Sequence, residues 1–129
     1  MTIAFVLGNG RSRSVIDLQQ LQQHGALYGC NALYREYAPD VLVAADRAIS
    51  EQIQHSGYTR KPLTGLGARR IPQEYWGFSS GPIAVGLACI DRHRRLYLLG
   101  FDLGSTNSHF NNVYADTEFY KRSSDRPTY

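Results

Sequence analysis

Glycines and small polar residues follow the short apolar segments of this sequence, where a parallel sheet would bring them together. Gly8-Asn9-Gly10 follows the first apolar segment, Cys30-Asn31 the second, Asp46 the third and Asp102 the last. In open parallel sheets a ligand binds beyond the carboxyl ends of the strands, so these residues are candidates for a single site. Each of them also has an ordinary role as a turn former, and that alternative stays open here.

The segment Gly8-Asn9-Gly10-Arg11-Ser12 has the clearest binding chemistry. Its glycines let the backbone turn sharply and approach a ligand, while N–H groups at the start of a following helix attract an anion. Arg11 or Arg13 would add positive charge. The segment lacks the third glycine of the dinucleotide fingerprint and the Gly-Lys-Ser/Thr ending of a Walker loop. It therefore predicts contact with an anionic small molecule, with ligand-binding candidates at Gly8, Asn9, Gly10 and Ser12.

A second anion-binding segment is predicted at Ser79-Ser80-Gly81, where hydroxyl residues and Pro82 mark the start of a helix. Hydroxyls at this position ordinarily cap the helix. The two roles are compatible if the backbone amides face the ligand. Ser79, Ser80 and Gly81 are therefore ligand-binding candidates as well.

The remaining reactive residues show no catalytic or metal-binding pattern. The four histidines lie far apart, without the spacing of a metal site. The two cysteines, Cys30 and Cys89, are too few for a disulfide scaffold, and Cys30 is interpreted as a small buried residue at a strand end. We therefore expect neither a metal nor a cofactor.

The elements that would position these residues alternate between strand and helix. Four apolar, β-rich segments predict strands at 3–7, 26–30, 41–45 and 95–99, and helices are predicted at 15–24, 47–55 and 79–90. The helix at 47–55 is expected to turn Ala48, Ile49 and Ile53 inward, and an edge strand is expected near Arg69-Arg70-Ile71. The alternation predicts an α/β fold, a three-layer Rossmann-like domain with a small, mostly parallel sheet.

Length and composition limit the class of protein. The chain has 129 residues, of which 43% are hydrophobic and 19% charged, and this predicts a single domain over 1–129 with a flexible tail at 118–129. A net charge of +3 is too small to indicate a nucleic-acid groove. No apolar segment approaches the roughly 20 residues of a membrane span, and no secretory signal is recognisable. We expect a soluble cytoplasmic protein that binds neither membrane nor nucleic acid; a homo-oligomer or a protein partner stays open.

Five segments, in order, resemble the bacterial sialyltransferases that use CMP-sialic acid. They are Gly8-Asn9-Gly10-x-Ser12 with Ile16-Asp17 and Leu21 behind it, Cys30-Asn31-x-x-Tyr34, Ser79-Ser80-Gly81, Leu96 to Asp102 (similar to the family's IYLxGxD strand), and Val113-Tyr114-Ala115-Asp116. The resemblance covers about residues 3–117. Short relatives of this core are common among bacteriophage proteins, so the resemblance implies a small phage-type relative in the host cytoplasm.

The resemblance implies roles for the candidate residues. In that family the reaction needs no metal, and a tyrosine hydroxyl stabilises the departing phosphate, which corresponds to Tyr114 here. The donor contacts would correspond to Asn9 and Gly10 at the phosphate or ribose, to Asn31 elsewhere on the donor, and to Ser80 and Gly81, with Ser79 beside them, at the cytidine.

Three hypotheses follow for the function. The family's general-base histidine and its acceptor lid have no counterpart in this chain, so we expect sugar transfer to be slow at best. The first hypothesis is a nucleotide or nucleotide-sugar binding domain, CMP-type in the first instance, that is either a binding protein or a minimal transferase. The alternatives are a non-enzymatic phage or bacterial accessory protein on the same fold, and a nucleotide hydrolase or sequestering protein. A hydrolase would use Asp46 or Asp102 as its base, so Asp102 joins Tyr114 as a catalytic candidate.

Overall fold

The computed structural model describes residues 3–58, 63–64, 71–103, 111–118, 120 and 122. Its strands are β1 (Ile3–Leu7), β2 (Ala26–Cys30), β3 (Val41–Val43), β4 (Leu63–Thr64) and β5 (Arg95–Leu99). Its α-helices are α1 (Leu18–Gln22), α2 (Arg47–His55) and α3 (Ser80–Ile90), and short 3-10 helices lie at Arg11–Val15, Asn31–Arg35 and Gln73–Tyr75.

The strands of the described chain form one sheet in the order β4-β3-β2-β1-β5, and all neighbouring strands pair in parallel. In β1, Ala4 pairs with Ala26 of β2 on one side and with Leu96 of β5 on the other. A central parallel strand is covered on both faces and so needs successive apolar residues, which the Ile3–Leu7 segment supplies. The predicted small Rossmann-like α/β fold is confirmed.

The two faces of the sheet carry separate hydrophobic layers. Ala4 and Val6 of β1 face the side on which α3 packs. Phe5 and Leu7 face the opposite side, where α2, the 3-10 helix Asn31–Arg35 and Tyr114 complete the core. This division follows from the alternation of side chains along a strand, and it produces the three layers that the sequence predicts.

The first helix is shorter than the prediction for this region. Residues Arg11–Val15 form a 3-10 helix, and Val15 is 89% exposed instead of continuing an apolar helical face. The α-helix begins only at Leu18, because the Asp17 side chain accepts a hydrogen bond from the backbone N–H of Gln20 at 3.2 Å and caps a new element there.

The prediction for β3 was too long by two residues. The strand ends at Val43 rather than Ala45, whose N–H donates to the Ser80 hydroxyl at 3.0 Å and not to a neighbouring strand. At the sheet edge, the observed strand is β4, whereas Ile71 belongs to no strand. Arg69 and Arg70 lie outside the described residues.

The bounds of α2 agree with the prediction, but one of its inward positions is wrong. Ile49 and Ile53 are buried, as expected, while Ala48 is exposed and Ser50 is fully buried. The helix is rotated by about one position relative to the expected face, so its inward face includes a serine.

In the described part of the chain, no helix is long and apolar enough to cross a membrane. Most of the predicted tail at 118–129 lies outside the described residues.

Candidate functional site

The direction of chain crossover reverses between β1 and β5. The chain runs from β1 outward through β2, β3 and β4, and then returns to the other side of β1. Such a switch point opens a crevice at the carboxyl ends of the two strands, where α/β proteins bind their ligands. Backbone hydrogen bonds from Gly8 N to Leu99 O (2.8 Å) and from Gly10 N to Gly100 O (2.9 Å) continue the pairing past both strand ends.

A cavity of about 250 Å³ opens at this switch point. The candidate residues that line it are Gly8, Asn9, Gly10, Asn31, Ser79, Gly81 and Asp102. Cys30, which the sequence places at this edge of the sheet as a buried residue, lines the cavity too. The sequence did not identify the other lining residues: Pro82, Gly100, Phe101, Leu103, Asn111 and Asn112. The sequence could have identified Gly100 and Phe101 as lining residues, because they lie between the end of β5 and the candidate Asp102. Asn111 and Asn112 reach the cavity from a segment with no periodic pattern.

Glycines are required here because the two strand ends approach closely. A Cβ atom at Gly8 would lie 2.6 Å from Gly100 O, and one at Gly10 would lie 2.5 Å from the Asp102 carboxylate. Gly100 itself has φ +77°, a conformation that L residues rarely adopt. The Gly-Asn-Gly segment thus lets two backbones meet at the floor of the cavity.

Asn9 is held by its side-chain amide at the edge of the cavity. Nδ2 donates to Cys30 O at 3.1 Å, and Oδ1 accepts from Nη2 of Arg13 at 3.1 Å. Nδ2 also donates to Cys30 Sγ at 3.8 Å, a long bond to a weak acceptor, so a ligand oxygen can compete for its second hydrogen. Arg11 and Arg13, the two arginines that could add positive charge, are both absent from the lining of the cavity, and Arg13 lies beneath the loop.

Asn31 follows β2 in a left-handed backbone conformation, with φ +55°. Its Oδ1 accepts a hydrogen bond from the Ser80 hydroxyl at 3.1 Å, and that hydroxyl accepts one from Ala45 N. Among the described residues Nδ2 has no partner, so it is available to the cavity. Ser80 is buried and does not line the cavity; it supports Asn31 from behind. Asparagine adopts this conformation more readily than most other residues do.

The start of α3 forms one wall of the cavity through Ser79, Gly81 and Pro82. Ser79 occupies the N-cap position, but the predicted side-chain cap bond is absent, which leaves its exposed hydroxyl available to a ligand. The first-turn N–H group of Gly81 has no intrahelical acceptor, and Pro82 has no N–H. This wall therefore consists of one backbone hydrogen-bond donor together with one hydroxyl.

Among the described residues that line the cavity, Asp102 is the one whose side chain is charged at neutral pH. Partial burial alone would raise the pKa of its carboxyl, but hydrogen bonds from the hydroxyl and backbone N–H of Ser12 and from the Asn111 amide lower that pKa below its ordinary value. Ser12, a ligand-binding candidate, contacts this carboxylate and does not line the cavity. Asp102 is consequently an ionised hydrogen-bond acceptor and a weak base.

Tyr114, the other catalytic candidate, is buried and does not line the cavity. Its hydroxyl donates to Glu36 Oε1 at 2.7 Å and accepts from Arg13 Nη2 at 3.0 Å. Burial and the bond to Glu36 raise the pKa of the Tyr114 hydroxyl, against the opposing effect of Arg13. Its catalytic role stays a prediction, and the described lining does not include it.

Cys30 reaches the cavity as a neutral thiol. Burial raises the pKa of the Cys30 thiol to about 12, with a smaller opposing effect from Arg13. Its Sγ donates to Leu7 O at 3.7 Å. This agrees with the interpretation of Cys30 as a small buried residue and not as a nucleophile.

The other titratable candidates lie away from the cavity. Asp46 precedes α2 and is not among the lining residues. His24 and His55 are exposed, while His93 is half-buried with its ring edge-on to Tyr28. His109 lies outside the described residues. Within the described ranges, no group of three His, Cys, Asp or Glu side chains is arranged to hold a metal ion.

Comparison of the chain with protein-family models, with curated proteins and with solved structures finds no match. The geometry of the cavity is therefore the basis for any assignment.

Proposed function

We propose that the cavity at the β1–β5 switch point binds a nucleotide or a nucleotide-sugar. The observation that carries this proposal is the convergence of three separate segments on one cavity: the Gly8-Asn9-Gly10 loop, Asn31 and the start of α3. They come from distant parts of the sequence, and each contributes a hydrogen-bond donor. A cavity of about 250 Å³ is smaller than most ligand pockets, roughly 300–1,000 Å³, so it fits part of a nucleotide rather than a whole nucleotide-sugar.

The distribution of donors and acceptors supports an oxyanion next to a hydroxylated ring. Asn9 Nδ2, Asn31 Nδ2 and the first turn of α3 supply donors that suit phosphate oxygens. Asp102 follows the neighbouring strand β5 and supplies an acceptor that suits sugar hydroxyl groups. Phosphate bound to the donors would leave the ribose or the sugar near Asp102.

Binding is proposed ahead of transfer because the described cavity has a weak base. The low pKa of Asp102 limits its ability to take a proton from an acceptor hydroxyl. The resemblance to sialyltransferases favours a CMP-type ligand, and transfer or hydrolysis of CMP-sialic acid is the reaction to assay first. Asp46 gives no support to the hydrolase alternative, since it is not part of the lining.

Isothermal titration with CMP, CDP, UDP, GDP and their sugar conjugates tests the proposal. We expect the wild-type chain to bind at least one of them, and Asn31→Ala and Ser79→Ala to weaken that binding about tenfold each, the effect of one hydrogen bond to a charged group. Gln23→Ala is the matched control, because Gln23 is exposed at the end of α1 and away from the cavity. No binding by the wild type, or equal binding by all four chains, refutes the proposal.

A further inference from the structure

The charged side chain of Arg13 is buried beneath the glycine loop, only 4% exposed. Its Nε donates to Gly8 O at 3.1 Å, and its Nη2 donates to Asn9 Oδ1 at 3.1 Å and to the Tyr114 hydroxyl at 3.0 Å. Nη1 lies 3.5 Å from Glu36 Oε1. The guanidinium is therefore fixed from several directions at once, without being in the cavity itself.

Arg13 determines which end of the Asn9 amide faces which neighbour. A guanidinium carries donors and no acceptor, so Asn9 must turn Oδ1 toward it. That orientation places Nδ2 against Cys30 O, which is an acceptor. The reverse orientation would set donor against donor at Arg13 and acceptor against acceptor at Cys30. Asn9 consequently has one orientation, in which the second Nδ2 hydrogen meets the weak acceptor Cys30 Sγ at 3.8 Å and is open to competition from a ligand oxygen in the cavity.

The side-chain amide of Asn31 is oriented in the same way as that of Asn9, with its oxygen bound behind the cavity. The Ser80 hydroxyl, buried behind it, donates to Oδ1 and leaves Nδ2 toward the cavity. Two asparagines from different strand ends thus both present N–H groups to the cavity and have their oxygen atoms bound behind.

We infer that Arg13 is a positioning and specificity-determining residue: by orienting Asn9 it gives the cavity a donor, and so selects a ligand with an acceptor oxygen at that point. Phosphate and carboxylate oxygens meet this requirement, whereas a ligand ammonium group does not. The inference rests on the proposed function only for the identity of the ligand. Glu36 and Tyr114 act one step further away, by holding Arg13.

A double-mutant cycle separates positioning from a general structural role. The dissociation constant of CMP is measured for the wild type, Arg13→Lys, Asn9→Ala and the double variant. We expect Arg13→Lys to weaken binding about tenfold in the wild-type background and less than about twofold in the Asn9→Ala background, because its effect passes through Asn9. Equal losses in both backgrounds overturn the inference.

Asn9→Asp provides a second test in which the Arg13 partner is retained. It replaces Nδ2 with an oxygen that faces Cys30 O, which costs stability, and it keeps Oδ1 for the Arg13 guanidinium, whose charge offsets part of that cost. CMP binding is expected to fall by about a hundredfold, and circular dichroism checks that the variant is folded. Unchanged CMP affinity in Asn9→Asp overturns the inference even if Arg13→Lys does not fold.

A measurement on the free protein distinguishes failure of this inference from failure of the proposed function. The Asn9 side-chain N–H signals are assigned in ¹⁵N spectra by their loss in Asn9→Asp. We expect these hydrogens to exchange with solvent at least about tenfold faster in Arg13→Lys, since the amide is no longer held. If exchange rises and no nucleotide binds, the proposed function fails and Arg13 still orients Asn9. If exchange is unchanged, the inference fails whether or not CMP binds.

Discussion

The Tyr114 hydroxyl forms hydrogen bonds with Arg13, which contacts the glycine loop, and with Glu36. Tyr114→Phe removes these two bonds and leaves the aromatic ring in place. The hydroxyl donates to Glu36 at 2.7 Å and accepts from Arg13 at 3.0 Å, in a side chain that is 7% exposed. A hydrogen bond to a charged group contributes about 1.5–3 kcal/mol. Glu36 is half-exposed and regains water, which discounts its share. We therefore expect Tyr114→Phe to lower the free energy of unfolding by about 2–3 kcal/mol.

Urea unfolding followed by circular dichroism measures this loss, with Tyr34→Phe as the matched control. The Tyr34 hydroxyl donates to the neutral Gln52 side chain at 2.8 Å and makes no bond to a charged group among the described residues. Its removal is expected to cost about 0.5–1.5 kcal/mol. If Tyr114→Phe costs no more than Tyr34→Phe, the Arg13–Glu36–Tyr114 network does not hold the loop and the reasoning is refuted.

The same residue makes a prediction for alkaline pH. Burial and the bond to Glu36 raise the pKa of Tyr114 above its ordinary 10, so the unfolded chain releases this proton at a lower pH than the folded chain does. Above pH 10 the unfolded state therefore binds fewer protons, and stability falls as pH rises, by about 1.4 kcal/mol per pH unit for this group. Below pH 10 its contribution is constant. Tyr114→Phe should lack this part of the alkaline decline, and an unchanged slope would contradict the assigned pKa direction.

Three further outcomes are expected from equilibrium unfolding. Asn31→Gly should be more stable than Asn31→Ala by about 1 kcal/mol, because both variants lose the Ser80 bond but only glycine adopts φ +55° without strain. Equal stabilities of the two variants would mean that this backbone conformation is not strained. Leu27→Ala should cost about 2–5 kcal/mol, because Leu27 is fully buried in the sheet; a loss below 1 kcal/mol would argue against this core. Cys30→Ser should flatten the fall in stability above pH 9, because burial raises the Cys30 pKa from 9.0 to about 12; an unaltered pH profile would place the thiol in water.

The strands and the place of the cavity could be predicted because local pattern determines them. Continuous apolar segments such as Ile3–Leu7 have few alternatives to a buried parallel strand, and the residues after each strand necessarily share one edge of the sheet. Helix starts were less predictable. The helix expected from Val15 begins at Leu18, because a single Asp17 cap outweighs the apolar spacing before it. The inward face of α2 was also misassigned at Ala48, where spacing alone does not fix the helix rotation.

The roles of individual site residues could not be predicted, because they depend on partners far away in the chain. Arg13 and Tyr114 are 101 residues apart, and Ser12 and Asp102 are 90 apart. No periodicity or motif encodes which of these side chains meet. An arginine and a serine near a glycine loop are typical of a ligand-binding segment. In the structure, however, Arg13 donates a hydrogen bond to Asn9, and Ser12 donates one to Asp102.

The arrangement has a general consequence for binding by this fold. The cavity donors, Asn9 and Asn31, each have their oxygen bound by a residue that does not itself line the cavity, Arg13 and Ser80 respectively. An amide free to turn over would present a donor and an acceptor in alternation and would discriminate poorly between ligands. Because the supporting residues fix the donor, substitutions at Arg13 or Ser80 should alter ligand selectivity about as strongly as substitutions at the asparagines. We therefore expect the specificity of the proposed ligand site to be set by residues that lie behind those that the ligand touches.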